Sequence, residues 1–519
     1  NYEKKSQLPN RDYIENFELI KPFEWKYIRG WNNFYGFEKN NKFETGTIKG
    51  VYRCSSCGEH TIVGADLEDW RGSNIWKPLW EANTKYFNRG ERLCGVCLAK
   101  RYFREYMQET EGIENENLGF PSTSEIAATL FKKEILEAIK KESEINDFLQ
   151  NLGELFYLGD TKGNSVKNLR DFVKKEIKND KKSLAEAILN IDGEWFIEDI
   201  WKNKNDYEII GADDKKANQM INLLEQIYNF LKLNSVKKPF KPSEYYAVIL
   251  LDGDSIGEKL DTIKNLNNPL KSHQEFSATL SELSKNFKEI VEEHDGALIY
   301  SGGDDVLALV PVENALKCAK KIQNEFKNIL SKEFPTIHIK SPFSMSGAII
   351  YAHHKLPLNY VLNEARKCEE KAKEEGKNRV CLKYIKRSLA SAEIVIRWVD
   401  IDKIKALPVN KQFIYQLREF KKVFKFNNHY KNVEDLEPFY QSGYSHRDVA
   451  KKIRDLQENL FISLLHGKDI PLSPKDFINL IKRIDVYKVI KANNSNKIKI
   501  YDLDKIENLL LVKEEINIY

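Results

Sequence analysis

The sequence has no apolar run approaching the roughly 18 to 20 residues needed to cross a bilayer, and its first residues lack the basic-then-apolar pattern of a secretory signal. It therefore reads as cytosolic, with no membrane partner. Charge of one sign is also missing: 82 Lys and Arg stand against 78 Asp and Glu. That balance excludes a uniformly basic coat and leaves only local patches for nucleic acid. Cysteine is scarce, with seven in 519 residues, too few for a disulfide scaffold and in keeping with a reducing compartment. No Walker-type phosphate loop, Rossmann glycine fingerprint or H-E-x-x-H helix occurs, so motor ATPases, dehydrogenases and zinc proteases find no support. An initiator Met is absent too; the chain opens at Asn1, and the reading expects domains missing upstream.

Four of the cysteines fall into two C-x-x-C pairs, Cys54-Ser55-Ser56-Cys57 and Cys94-Gly95-Val96-Cys97. Four thiolates close a tetrahedral Zn²⁺ site of the structural kind. Residues 58–93 exceed the usual finger spacing and must loop out between the pairs. His60 is a neighbour that could substitute as a ligand. Cys318, Cys368 and Cys381 stand in apolar settings and read as core thiols.

A chain this long exceeds one hydrophobic core. Residues 1–50 interleave aromatics with Lys, a pattern that suits a packing surface better than a single-strand binding track. The cysteine pairs define a segment 51–110. A helical domain spans 111–240, opened by the helix-start signal Pro121-Ser122-Thr123-Ser124-Glu125 and closed by the proline pair Pro239 and Pro242. From 241 to about 390 strands and helices alternate, and 391–519 reads as mostly helical, with a Lys-rich solvated tract at 411–431.

The alternating region carries the chemistry. Tyr245 to Leu251 is a continuous apolar run, the signature of a strand buried on both faces. Phe276, Leu280, Leu283, Phe287 and Ile290 recur at helical steps. Two short apolar runs, Ala297–Tyr300 and Val306–Val310, flank Ser301 to Asp305 as a hairpin. A second helix and a strand at Phe343–Tyr351 complete β-α-β-β-α-β, a ferredoxin-like unit within an α+β multidomain chain. In this order the first strand lies beside the hairpin, so Asp252 meets Asp304 and Asp305. Adjacent residues of a straight strand point apart, but the turn at Gly302 and Gly303 lets both carboxylates project together. Three converging carboxylates select hard cations, Mg²⁺ or Mn²⁺, and a metal pair supports in-line nucleotidyl transfer. The loop Gly253-Asp254-Ser255-Ile256-Gly257 offers backbone amides to triphosphate oxygens, with Lys371, Lys377 and Arg379 placed to neutralise phosphate charge. Gly and Asp also populate solvent-exposed turns. What favours the metal site is the Asp-Gly-Asp that closes a buried strand earlier in the right topology. His294-Asp295, the sole adjacent His-Asp pair, precedes a strand and reads as a turn.

The runs Ile249-Leu250-Leu251-Asp252-Gly253-Asp254-Ser255-Ile256-Gly257, Ser301-Gly302-Gly303-Asp304-Asp305, Tyr351-Ala352-His353-His354-Lys355-Leu356-Pro357-Leu358 and Gly376-Lys377-Asn378-Arg379-Val380 resemble the large subunit of type III CRISPR effector complexes, Cmr branch. Pro121 to Ala127 and the cysteine pairs fit as well. The resemblance implies a palm of the nucleotide-cyclase type that condenses ATP into cyclic oligoadenylates when target RNA binds. Guide RNA and sibling subunits are the implied partners. It further implies Asp252, Asp304 and Asp305 as metal positions, Gly302 and Gly303 beside the nucleotide, and Ser301 and Lys377 as further contacts. Family members carry an HD nuclease and a first palm before the cysteine segment, so residues 1–50 are expected to be a remnant of that palm. Two rivals remain: a scaffold whose palm no longer turns over, and a cyclic-dinucleotide synthase of the Gly-Gly-Asp-Glu-Phe type. Against the second stand Asp305-Val306 in place of Glu-Phe, and the large flanks.

Overall fold

The computed structural model describes residues 119–141, 164–209, 212–234, 240–263, 268–340, 342–405 and 496–517, most of 53–111, and shorter pieces between 38 and 43 and between 414 and 492. The aromatic segment 1–50, apart from a short ladder of Glu38–Lys39 with Lys42–Phe43, lies outside the described residues. So do the tract 411–431, but for Ile414 and Leu417, and most of the loop around 159–163. The chain divides into two compact units, Asn1–Gly119 with Asn203–Ala217, and Phe120–Lys202 with Asn218–Tyr519.

The first unit is built around the cysteines. Helix α1 (Ser73–Ala82) buries Trp76, whose ring meets Phe87 edge-on at 5.6 Å and whose indole N–H donates to the Val63 carbonyl at 2.9 Å. Helix α2 (Gly95–Glu111) starts directly after Cys94, and its Arg101 makes a two-pronged pair with Glu91 at 2.7 and 2.8 Å.

In the second unit, α3 (Thr123–Lys140) begins at the expected helix-start signal: Ser122 caps it, accepting from the Glu125 N–H at 3.0 Å. One turn further in, Glu125 and Lys132 form a fully buried ion pair at 2.7 Å, and Ser165 Oγ donates to the same carboxylate at 2.6 Å. Helix α4 (Lys167–Glu176) follows.

The strands are β1 (Tyr245–Gly253), β2 (Ala297–Gly302), β3 (Asp305–Pro311), β4 (Met345–His353), β5 (Arg379–Ile385) and β6 (Ser391–Arg397). They form one sheet in the order β2-β3-β1-β4-β5-β6, antiparallel except for β4 with β5. The first four strands stand in the order that the ferredoxin-like reading requires. Helices α5 (Ile256–Ile263), α6 (Pro269–Glu293), α7 (Val312–Glu333), α8 (Leu358–Glu374) and α9 (Leu503–Asn517) complete it. Residues Ala247, Ile249, Leu251, Val306, Ala308 and Val310 face α6 and α7, and share one core with Phe276, Phe287 and Phe326. The opposite face carries α8 and α3. Covering both faces explains why β1 is an unbroken apolar run rather than an alternating one.

The palm expected to close at 390, before a mostly helical remainder, continues by one more strand. Ser391–Arg397 pairs with β5 along its whole length, and Tyr487–Ala492 pairs with Asn496–Tyr501 as a further hairpin. The β-branched run Ile394-Val395-Ile396 carries that preference locally. The His294-Asp295 turn is a joint: Asp295 is buried at φ +57, receives Lys133 of α3 on both oxygens at 2.9 Å, and receives Asn168 of α4 at 2.5 Å.

Candidate metal and nucleotide site

Strand register delivers the carboxylates to one face. Leu250 lies opposite Leu307, and alternation along both strands carries that face on to Asp252 and Asp305. Asp304 joins them from the β2–β3 turn, where Gly303 adopts φ +67. Oxygens of Asp252, Asp304 and Asp305 all lie within 4.8 Å of one another. The approach is so close that a Cβ on Gly253 would stand 2.7 Å from Cβ of Asp304.

Crowding like charges makes ionisation costly. Asp305 is pushed up to about 7, first by its hydrogen bond with Asp252, then by burial and the neighbouring charges. Asp304 is also raised, by burial first and by Asp252 beside it. Three crowded carboxylates, with Asp304 and Asp305 resisting the loss of their protons, fit a hard divalent cation, whose charge removes the repulsion. Lys373 of α8 reaches the group, pairing with Asp252 and, at 2.6 Å, with Glu369. Burial disfavours its charge, but those two carboxylates outweigh burial and hold the ammonium above the usual lysine range.

The loop residues divide into scaffold and surface. Asp254 is buried and faces inward: it accepts from Ser344 Oγ and Ser346 Oγ at 2.6 Å each and from the Asn378 N–H at 2.9 Å. It thereby ties the end of β1 to the start of β4 and to the turn before β5. Beneath it, buried Lys259 donates to the Asp254 carbonyl at 2.5 Å. Ser255, at φ +55, accepts from Lys377 Nζ at 2.5 Å, and Lys377 and Asn378 are themselves at φ +58 and +49. The 253–257 loop and the 376–378 turn are thus one assembly beside the carboxylates. Gly257 borders open space, and Arg379 opens β5 with its guanidinium beside Gly376.

Lys371 is not brought to this site. It pairs with Glu393, which faces Lys383, Ile350 and Val248 in register, three strands across and four residues down the sheet from Asp252. Lys373 stands where Lys371 is expected. Ser301 is turned away as well: it sits opposite Val306 on the helix-covered face, and its Oγ is buried without a hydrogen-bond partner.

Sulfur atoms of Cys54, Cys57, Cys94 and Cys97 also gather within 4.8 Å. The Cys57 and Cys94 sulfurs are 3.8 Å apart, close to the roughly 3.8 Å edge of a tetrahedron with Zn–S bonds of about 2.3 Å. The Cys97 N–H points at Cys94 Sγ at 3.4 Å, and His60 Nδ1 stands 3.7 Å from Cys57 Sγ. Burial, then the adjoining thiols, push Cys97 up to about 12. A thiophilic dication reverses that cost, so the donor set fits zinc.

A mostly antiparallel sheet in this strand order, with a carboxylate closing its first strand and a Gly-Gly-Asp-Asp turn on the adjoining hairpin, is a palm domain. Residues 245–381 match the family model described as Cas10/Cmr2, second palm domain. The chain thus carries a stretch similar to the second palm domain of Cas10/Cmr2 proteins. It is 28% identical over 419 residues to the CRISPR system Cmr subunit Cmr2 of Pyrococcus furiosus, covering 74% of this chain and 42% of that one. With the Cmr2 subunit of Saccharolobus solfataricus it shares 23% over 199 residues, 32% of this chain and 19% of the other. The chain therefore spans less than half the length of these curated relatives. A cryo-EM structure of Type III-B Cmr-beta bound to cognate target RNA aligns with 91% of this chain and 57% of its own, at 15% identity and a TM-score of 0.47.

Proposed function

We propose that the palm is a metal-dependent nucleotidyl-transfer site that uses ATP, within the large subunit of a type III CRISPR effector complex. In this reading guide RNA, target RNA and sibling subunits are its partners, and target RNA switches on the synthesis of cyclic oligoadenylates. The observation that carries it is the convergence of Asp252, Asp304 and Asp305 on one sheet face, within residues 245–381 that match the Cas10/Cmr2 second palm domain.

Asp252, Asp304 and Asp305 hold the divalent cations, Mg²⁺ or Mn²⁺, whose chemistry is to acidify an attacking hydroxyl and to stabilise the leaving pyrophosphate. The other parts of the chain position and neutralise. Asp254 locks the loop whose amides face the triphosphate, and Lys373 and Lys377 supply positive charge on its flank. Gly302 and Gly303 let the backbone come close to the nucleotide. Cys54, Cys57, Cys94 and Cys97 hold a structural Zn²⁺ in the other unit.

The test is product analysis. The effector complex reconstituted with this chain is incubated with ATP, Mn²⁺ and target RNA, and is expected to yield cyclic oligoadenylate. The Asp304→Ala/Asp305→Ala variant should yield none. Absence of product from the intact complex leaves the scaffold reading, in which the chain organises RNA and subunits around an inert palm.

A further inference from the structure

The strand that leads into the glycine turn does not run straight. Ala297 and Leu298 pair with Leu309 and Ala308, but the next pairs are Tyr300 with Leu307, Ser301 with Val306 and Gly302 with Asp305, so Ile299 is the extra residue of a β-bulge. Without the bulge, Tyr300 would stand opposite Val306, on the face packed by α6 and α7, and Ser301 would stand opposite Asp305. A one-residue shift moves every following side chain to the other face. The bulge therefore exchanges the two residues. It turns Ser301 to the helix-covered face, where its Oγ is buried, and brings Tyr300 to the carboxylate face, 54% exposed.

Tyr300 then lies forward along its strand over Gly302. A Cβ at Gly302 would sit 2.1 Å from the phenol oxygen and 2.5 Å from Cζ, so only glycine leaves room for the ring in this pose. Gly302 is the register partner of Asp305, which places the ring about one strand spacing, roughly 5 Å, from the metal ligands. An exposed aromatic ring within the length of one nucleotide of the carboxylate cluster is placed to offer a stacking surface for a base.

We propose that Tyr300 is the platform on which the purine of the bound nucleoside triphosphate stacks, placed there by the bulge at Ile299. This rests on the nucleotide reading of the same site, and the test separates the two. Binding of α,β-methylene ATP and of inorganic tripolyphosphate, each with Mn²⁺, is measured by calorimetry on the full chain and on Tyr300→Ala, Tyr300→Leu, Tyr300→Phe and Tyr300→Trp. Stacking predicts that the Ala and Leu variants lose about tenfold in affinity for the ATP analogue while tripolyphosphate binding is unchanged. Phe and Trp should keep the wild-type preference. The proposal is overturned if Tyr300→Leu binds the ATP analogue as tightly as wild type, or if it loses both ligands alike, which would make the ring a structural prop. A loss in Tyr300→Phe equal to that in Tyr300→Leu would assign the effect to the hydroxyl and also overturn it. If the wild-type chain binds neither ligand, the nucleotide reading itself fails and this inference with it.

Discussion

Lys373 is ion-paired with Asp252, the carboxylate that closes the central strand of the palm. A lysine in that position compensates part of the negative charge gathered there. Its neighbour Lys371, two residues earlier, serves a different carboxylate altogether.

That contrast gives the first prediction. Lys373→Met is expected to lower the affinity for α,β-methylene ATP with Mn²⁺ about tenfold, the value of one charge-assisted contact. Lys371→Met should stay within about twofold of wild type. Equal losses in the two variants would mean that the lysines act through the general field of the helix rather than by contact.

The crowded carboxylates predict how metal binding depends on pH. Asp305 has a folded value of about 7 against an ordinary 3.8, so the metal-free folded state holds a proton that the unfolded chain releases. The contribution of that group to stability accordingly falls as pH rises from 4 through 7. Mn²⁺ displaces the proton and should therefore raise Tm more at pH 8 than at pH 5. Asp304→Ala/Asp305→Ala should remove the Mn²⁺ effect at both, and an Mn²⁺ gain independent of pH in the wild type would contradict the assignment.

Acid sensitivity is expected from the far end of the same sheet. Burial first, then the charges of His353 and Lys355, press His354 down to about 3 from an ordinary 6.5, and its Nε2 is buried with no hydrogen-bond partner. A histidine kept neutral by folding supports stability above pH 6.5 and withdraws that support as pH falls towards 3. The urea midpoint of wild type should drop between pH 7 and pH 5 by more than that of His354→Phe. Parallel midpoints would show that other groups set the acid limb.

Zinc content is the fourth measurement. The purified chain should carry about one zinc, and Cys57→Ser or Cys94→Ser should abolish it and open the 53–111 region to protease. Cys368→Ser should leave the metal in place, because that thiol donates instead to Glu393 at 3.5 Å.

The Glu125–Lys132 pair supplies a stability test away from any site. Lys132→Met strands a fully buried carboxylate and should cost about 3–5 kcal/mol, read as a shift in the unfolding midpoint. Pairing it with Glu125→Leu should recover much of that loss. A double variant as unstable as the single one would indicate that the surrounding hydrogen bonds, and not the ion pair, hold this core.

Much of the palm is legible in the sequence because its signals are local. Apolar runs mark β1, β3 and β4, helical steps of three and four mark α6 and α7, and Gly302-Gly303 marks the turn, so the meeting of Asp252 with Asp304 and Asp305 follows from strand order alone. Whatever depends on phase is not. Lys371 and Lys373 flank the buried Ala372 on α8, about 100° to either side, so each borders the buried stripe and only the packed helix shows which one leans towards Asp252. Tyr300 and Ser301 differ by one position in register, and nothing in Leu298-Ile299-Tyr300 announces a bulge. The inward turn of Asp254 depends on Ser344, Ser346 and Asn378, some 90 to 125 residues away, a partnership that no local pattern encodes.

The position of β1 in the sheet sets an order of assembly. This strand is synthesised before either neighbour: β3 arrives only at residues 305–311 and β4 at 345–353. A nascent chain thus carries Asp252 for some time without the hairpin that supplies its companions, and the pairing that unites them closes a loop of about 50 residues, which makes it a slow, non-local step. An incomplete chain emerging from the ribosome has one carboxylate of the three. The cluster comes into being only once the domain around it has folded, so truncated or stalled products lack the three gathered carboxylates.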